Sequence, residues 1–168
     1  MQPGRYDNKP LCANRLSTDQ VATLADFEQL KFDGTNNTID AAIAQYTITD
    51  VTCSTPSGYY GFPTGTVTAA FVGQAIMKVG RTTSLTTGTV SAINVTVNVG
   101  YSYGTARFVG QIMTSSSFCK SGDSGSLVVT STGNNPVGLL FAGTNTGQAV
   151  LNPIGLVLTR FSATICSN

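Results

Sequence analysis

The chain contains no histidine among its 168 residues. That absence removes the usual general base at neutral pH and every histidine-ligated metal site. Charge is scarce as well: Asp, Glu, Lys and Arg make up 10% of the chain, and the net charge is +1. A protein that grips a nucleic-acid backbone needs a dense basic face, so nucleic acid is not an expected partner. No apolar run reaches the roughly 18 residues that read as a membrane span, so no membrane partner is expected. Met1 is followed by Gln-Pro-Gly-Arg-Tyr, which does not read as a secretory leader. Cys12, Cys53, Cys119 and Cys166 lie far apart, and no C-x-x-C pair supports a zinc ribbon. No metal and no cofactor is implied. The cysteines fit two disulfides, in any of three connectivities, or buried free thiols.

What is present points to β structure. Hydrophobic residues make up 41% of the chain, which argues against a disordered acidic chain. A chain of this size buries about 70% of its unfolded surface, enough for a real core. Eighteen glycines and many β-branched residues accompany few good helix formers. Few charges with much Thr, Ser, Asn and Gly suit a secreted, extracellular β protein. Strand-like runs fall at 21–32, 38–47, 68–79, 86–99, 105–114, 125–130, 136–143 and 147–158, with a short closing helix over 156–165. Residues 1–20 are polar and turn-rich, and Asp33-Gly34 with Asn36-Asn37 reads as a turn. Residues 53–66 (CSTPSGYYGFPTGT) read as a linker between a first part, 1–52, and a second, 67–168. Six strands after residue 67 suit one antiparallel barrel. The stretch before residue 50 offers too few for a second closed one.

Residues 119–130 (CKSGDSGSLVVT) carry the chemistry. A nucleophilic serine needs an exposed, tightly turned backbone and two amides aimed at one point to hold an oxyanion. Glycines on both sides of Asp123-Ser124 permit that backbone. A plain loop leading into a strand uses the same residue types.

The wider pattern separates the two. KSGDSGSLVV followed by PVGLLFAGTN resembles the active-site region of the chymotrypsin-like (trypsin-like) serine proteases, and GRTTSLTTGTV resembles their bacterial members. NTIDAAIAQ is similar to the segment that places the catalytic aspartate. MQPGRYDNK resembles the loop after the histidine strand in the narrow-leaf-type trypsin-like proteins. The resemblance runs in order over nearly the whole chain. It implies an all-β, chymotrypsin-like double antiparallel barrel with an incomplete first barrel. It implies Ser124 as nucleophile, the amides of Gly122 and Ser124 as oxyanion hole, and Asp40 as the buried acid that orients an imidazole. Asp123 would brace the oxyanion loop through a buried ion pair with Arg81. Phe118, Ser121, Phe141, Ala142 and Gly143, with 151–154, would line the specificity pocket. The aligned stretch Phe118-Cys119-Lys120-Ser121 holds no acid, so no preference for basic residues is expected, and a small or apolar residue before the cut is.

The family order is His, Asp, Ser, with the histidine about 45 residues before Asp40. That position falls upstream of Met1. The reading is therefore a serine endopeptidase of peptide or protein substrates, silent as this chain alone. The alternatives are a non-catalytic, protease-like binding module and a protease completed in trans by a partner chain or N-terminal segment that supplies the histidine. A Ser–Lys dyad through Lys120 has no precedent in the family.

Overall fold

The computed structural model describes residues 22–46 and 51–167; the polar opening, residues 1–20, and Cys12 lie outside that range. The strands are β1 (Ala22–Phe27), β2 (Asn36–Asn37), β3 (Ala42–Tyr46), β4 (Ala75–Gly80), β5 (Ser84–Tyr101), β6 (Gly104–Thr114), β7 (Leu127–Thr130), β8 (Pro136–Gly143) and β9 (Ala149–Pro153). One helix, α1 (Ile154–Phe161), follows them.

The six strands after residue 67 close on themselves. They pair in the order β6-β5-β4-β7-β8-β9, and β9 returns to β6 through Ile112↔Leu151 and Met113↔Val150. Closure leaves no edge strand inside the ring. Its interior is filled by Ile76, Val90, Ile112, Phe118, Val128, Val137, Leu140 and Leu151. Each such side chain contributes about 1.5–3 kcal/mol by leaving water. The strand β5 runs for 18 residues, longer than the expected 86–99 segment. Its register against β6 shifts three times between Val90 and Val97, and Asn94 lies there at φ 54°. Bulges of this kind bend a long strand. Beyond them, Val97–Tyr101 and Gly104–Phe108 reach toward the first part, where β2 pairs with β6 at Asn36↔Arg107.

Three local expectations are corrected. Asn36-Asn37 is a parallel strand pairing rather than a turn. The buried Asn37 amide bonds the Lys31 and Arg107 carbonyls and accepts the Lys31 N–H. Strand β3 starts at Ala42, because the backbone of Asp40 bonds a side chain instead of a neighbouring strand. Strand β4 starts at Ala75, after a turn in which Gly73 and Gln74 bond Val90 across the backbone.

The first part, as described, holds the two-stranded antiparallel sheet β1–β3. The helix ties it to the barrel. Ile154, Val157, Leu158 and Phe161 recur at helical spacing, and they pack on Ile39 and Ala41 as well as on Leu127 and Leu139. Arg160, in the last turn, donates to Asp26 at 2.8 Å and to Glu28 at 2.5 Å. A disulfide joins Cys53 to Cys166 with Cα atoms 5.3 Å apart, and Cys119 is free and buried. Residues 53–66 contain no helix or strand and lie against the 134–135 turn, bonded through Thr64, Tyr60 and Phe62.

Candidate active site

The turn that carries Ser124 is held from below by one carboxylate. Asp123 is 1% exposed. Its Oδ1 accepts the N–H groups of Thr82 (2.8 Å) and Thr83 (3.1 Å). Its Oδ2 accepts the Thr83 hydroxyl (2.7 Å) and the Lys120 N–H (3.0 Å). The Lys78 ammonium lies 3.4 Å away, fully buried, and donates to Thr83 Oγ1 and to the Ser84 carbonyl. Burial pushes the Asp123 carboxyl up. The Lys120 N–H, the Thr83 hydroxyl and the Thr82 and Thr83 N–H groups outweigh it and hold the carboxyl well below the usual carboxylate range. Burial lowers the Lys78 ammonium, and the Asp123 charge opposes that shift.

The expected Asp123–Arg81 pair is therefore corrected: the cation is Lys78. Lys78 follows Ile76 by two residues, so both face the barrel interior. Arg81 sits past the end of β4 on the exposed hairpin turn and forms no ion pair among the described residues. Its guanidinium lies over Gly122 instead: a Cβ there would fall 2.7 Å from Nη2. Lys78, Thr82 and Thr83 are the site residues that sequence reasoning missed. The signal for Lys78 was a lysine on the inward face of an otherwise apolar strand.

The same hairpin fixes the loop at two further points. Thr82 Oγ1 donates to the Ser121 carbonyl and Thr86 Oγ1 to the Phe118 carbonyl, both at 2.8 Å. Gly80 permits the approach, since a Cβ there would lie 2.5 Å from Asp123 Oδ1. Gly122 adopts φ 97°. The Asp123, Gly125 and Ser126 N–H groups are committed to backbone carbonyls. The Gly122 and Ser124 N–H groups have no acceptor among the described residues. Ser124 is exposed, and its hydroxyl donates to the Phe141 carbonyl at 3.3 Å.

Asp40 is 7% exposed. Asn152 clamps its backbone, accepting the Asp40 N–H at 3.1 Å and donating to its carbonyl at 2.8 Å. Tyr101 donates its hydroxyl to Asp40 Oδ2 at 2.7 Å. Burial raises the Tyr101 phenol, and the hydrogen bond to Asp40 adds to the rise. Oδ1 of Asp40 is buried and has no hydrogen-bond partner among the described residues. A row of rings leads from this carboxylate toward the serine. Tyr101 lies 6.4 Å from Phe108, and Phe108 lies 4.8 Å from Phe141, whose carbonyl accepts the Ser124 hydroxyl.

A cavity of about 350 Å³ opens beside Ser124. Ser121, Ala142 and Gly143 line it, together with Lys120, Thr144 and Asn145. Phe118 and Phe141 do not line it. Phe118 is fully buried in the barrel core, and the Phe141 ring packs on Phe108. Of 151–154, Leu151 is core and Asn152 serves Asp40. Cys119 lies at the cavity wall under Gly143, and burial pushes its thiol up. No group of three or more potential metal ligands occurs among the described residues.

A closed antiparallel barrel with a braced Gly-Asp-Ser-Gly turn has the architecture of the chymotrypsin-like serine proteases. The Cellulomonas bogoriensis chymotrypsin superposes with a TM-score of 0.68 over 90% of this chain and 78% of its own, at 23% identity. A glutamic-acid-specific serine protease, described as using a histidine triad in substrate binding, superposes at 0.67 over 87% and 74%, at 28% identity. Among curated proteins, streptogrisin-A of Streptomyces griseus is 32% identical over 100 residues, 57% of this chain and 32% of its own length. Glutamyl endopeptidase 2 of the same organism is 46% identical over 65 residues, 38% of this chain and 35% of its own. The matches span about a third of these curated relatives. The chain belongs to the Nal1 C-terminal domain family, whose sequence profile matches residues 64–158.

Proposed function

We propose that this chain carries the nucleophile half of a serine endopeptidase. The single observation that carries the reading is the Gly122–Gly125 turn. An exposed serine and two uncommitted amides stand on a backbone braced by a buried, multiply bonded carboxylate, beside a cavity. In this mechanism Ser124 Oγ attacks the peptide carbonyl carbon, and an imidazole takes the hydroxyl proton. The Gly122 and Ser124 N–H groups hold the resulting oxyanion. The imidazolium then protonates the leaving amine, and water hydrolyses the acyl-enzyme through the same base. Asp40 is the group that orients that imidazole. Its free Oδ1 supplies the acceptor, and Tyr101 and Asn152 fix the carboxylate. The chain holds no histidine, so the imidazole belongs to residues outside these 168, on an adjoining segment or a partner. Peptide and protein substrates are the partners this chemistry implies.

The test is peptide hydrolysis by this chain alone and by a protein carrying the same residues behind a histidine-bearing first barrel. Loss of the triad histidine costs about 10⁶ in kcat, so the chain alone is expected to be silent. The completed protein is expected to be active and its Ser124→Ala variant inactive. An active Ser124→Ala variant, or a folded completed protein with no activity, contradicts the reading.

A further inference from the structure

We propose that Lys120 makes the cavity beside Ser124 a receptor for an acidic side chain, so that the favoured peptide carries Glu or Asp before the cut. This inference rests on the endopeptidase reading of the site. Its basis is the charge around the cavity. Lys120 is exposed and lines the cavity, and its ammonium has no ion-pair partner among the described residues. Arg81, on the β4–β5 turn, lies over Gly122 and is equally unpaired among them. No carboxylate lines this cavity, nor the adjoining one of about 700 Å³ that shares Lys120, Ser121, Thr144 and Asn145 with it. The Asp123 carboxylate is sealed beneath the turn and paired with Lys78. The local field is therefore positive and uncompensated.

The remaining wall fits the same ligand. Ser121 and Asn145 bring a hydroxyl and an amide group that can donate to a carboxylate. About 350 Å³ is the share of about a dozen liquid waters, more room than one side chain needs. Selection by shape is correspondingly weak, and selection by charge takes its place. Phe118 is buried in the core and the half-buried Phe141 ring packs on Phe108, so neither ring supplies an apolar wall to this cavity.

A binding measurement tests this without any imidazole. The isotope-labelled 168-residue chain is titrated with three N-acetylated tetrapeptides that share a free C-terminal carboxylate and end in Glu, Leu or Lys. Amide shifts at Ser121, Gly122, Ser124 and Gly143 report occupancy. The Glu peptide is expected to bind about five- to tenfold more tightly than the Leu peptide, a difference of about 1–1.4 kcal/mol. The preference should vanish below about pH 4, where the glutamate side chain protonates. Lys120→Glu should move the preference to the Lys peptide. Lys120 is exposed, and its contribution to the turn is a backbone N–H, so the variant keeps the fold; its amide spectrum checks this. Equal binding of all three peptides, or a preference unchanged in Lys120→Glu, overturns the role of Lys120 and leaves the endopeptidase reading standing. Absence of any shift at Ser124 with every peptide overturns both.

Discussion

Asp123 and Lys78 form a fully buried ion pair beneath the Gly122–Gly125 turn, and the energetics of the site start there. Removing one partner of such a pair strands the other charge in the interior, which costs about 3–5 kcal/mol. Lys78→Met is expected to lower the unfolding free energy in urea by that amount. Arg81→Ala, an exposed residue without an ion pair, is expected to stay within about 0.5 kcal/mol of the parent. Equal effects of the two would contradict the assignment. The Asp123 carboxyl titrates below its unfolded value, so its stabilisation is complete above about pH 4 and is lost as pH falls further. An acid titration of stability should therefore slope downward below about pH 4, and Asp123→Asn should remove that part of the slope. The tight, exposed turn at Gly122–Gly125 was legible because glycines on both sides of Asp123-Ser124 permit that backbone. The partner of Asp123 was not. Arg81 stands in a conspicuous Gly-Arg-Thr-Thr turn, whereas Lys78 reveals itself only once the inward face of β4 is fixed by Ile76.

At the scale of elements, the β4–β5 hairpin acts as the bracket for the 118–123 loop. Thr82, Thr83 and Thr86 each donate a hydroxyl to it, and Gly80 lets it approach. Gly80→Ala is expected to cost about 1–3 kcal/mol by overpacking, because Asp123 is bonded on all sides and cannot move aside. Thermal unfolding measures this; a neutral substitution would show that the loop is loose. The barrel strands were legible as short apolar runs between turn signals, and a closing helix was expected over 156–165, where the structure has it over Ile154–Phe161. The 18-residue length of β5 was not, because its bulges break the period of two on which strand reading depends. Asp40 was legible as a lone carboxylate among apolar neighbours. Its Tyr101 and Asn152 partners, 61 and 112 residues distant, carry no local signal.

At the scale of the whole molecule, the contacts that join the two parts include the apolar face of α1 on Ile39 and Ala41, the Arg160 ion pairs, the β2–β6 pairing and the Asn152 and Tyr101 bonds to Asp40. The exposed ion pairs contribute little, roughly 0–1 kcal/mol each. The Cys53–Cys166 bridge spans 113 residues, so in the chain-entropy account its reduction costs about 4–5 kcal/mol. A reductant should lower the unfolding midpoint of the parent and leave a Cys53→Ser, Cys166→Ser variant unchanged. The central claim is that Ser124 stands ready in a site that lacks its base. Intact-mass analysis after treatment with a fluorophosphonate tests it most directly. The account predicts negligible labelling of the 168-residue chain, labelling that rises with added imidazole, and none in Ser124→Ala. Rapid labelling without imidazole, or equal labelling of Ser124→Ala, would contradict it.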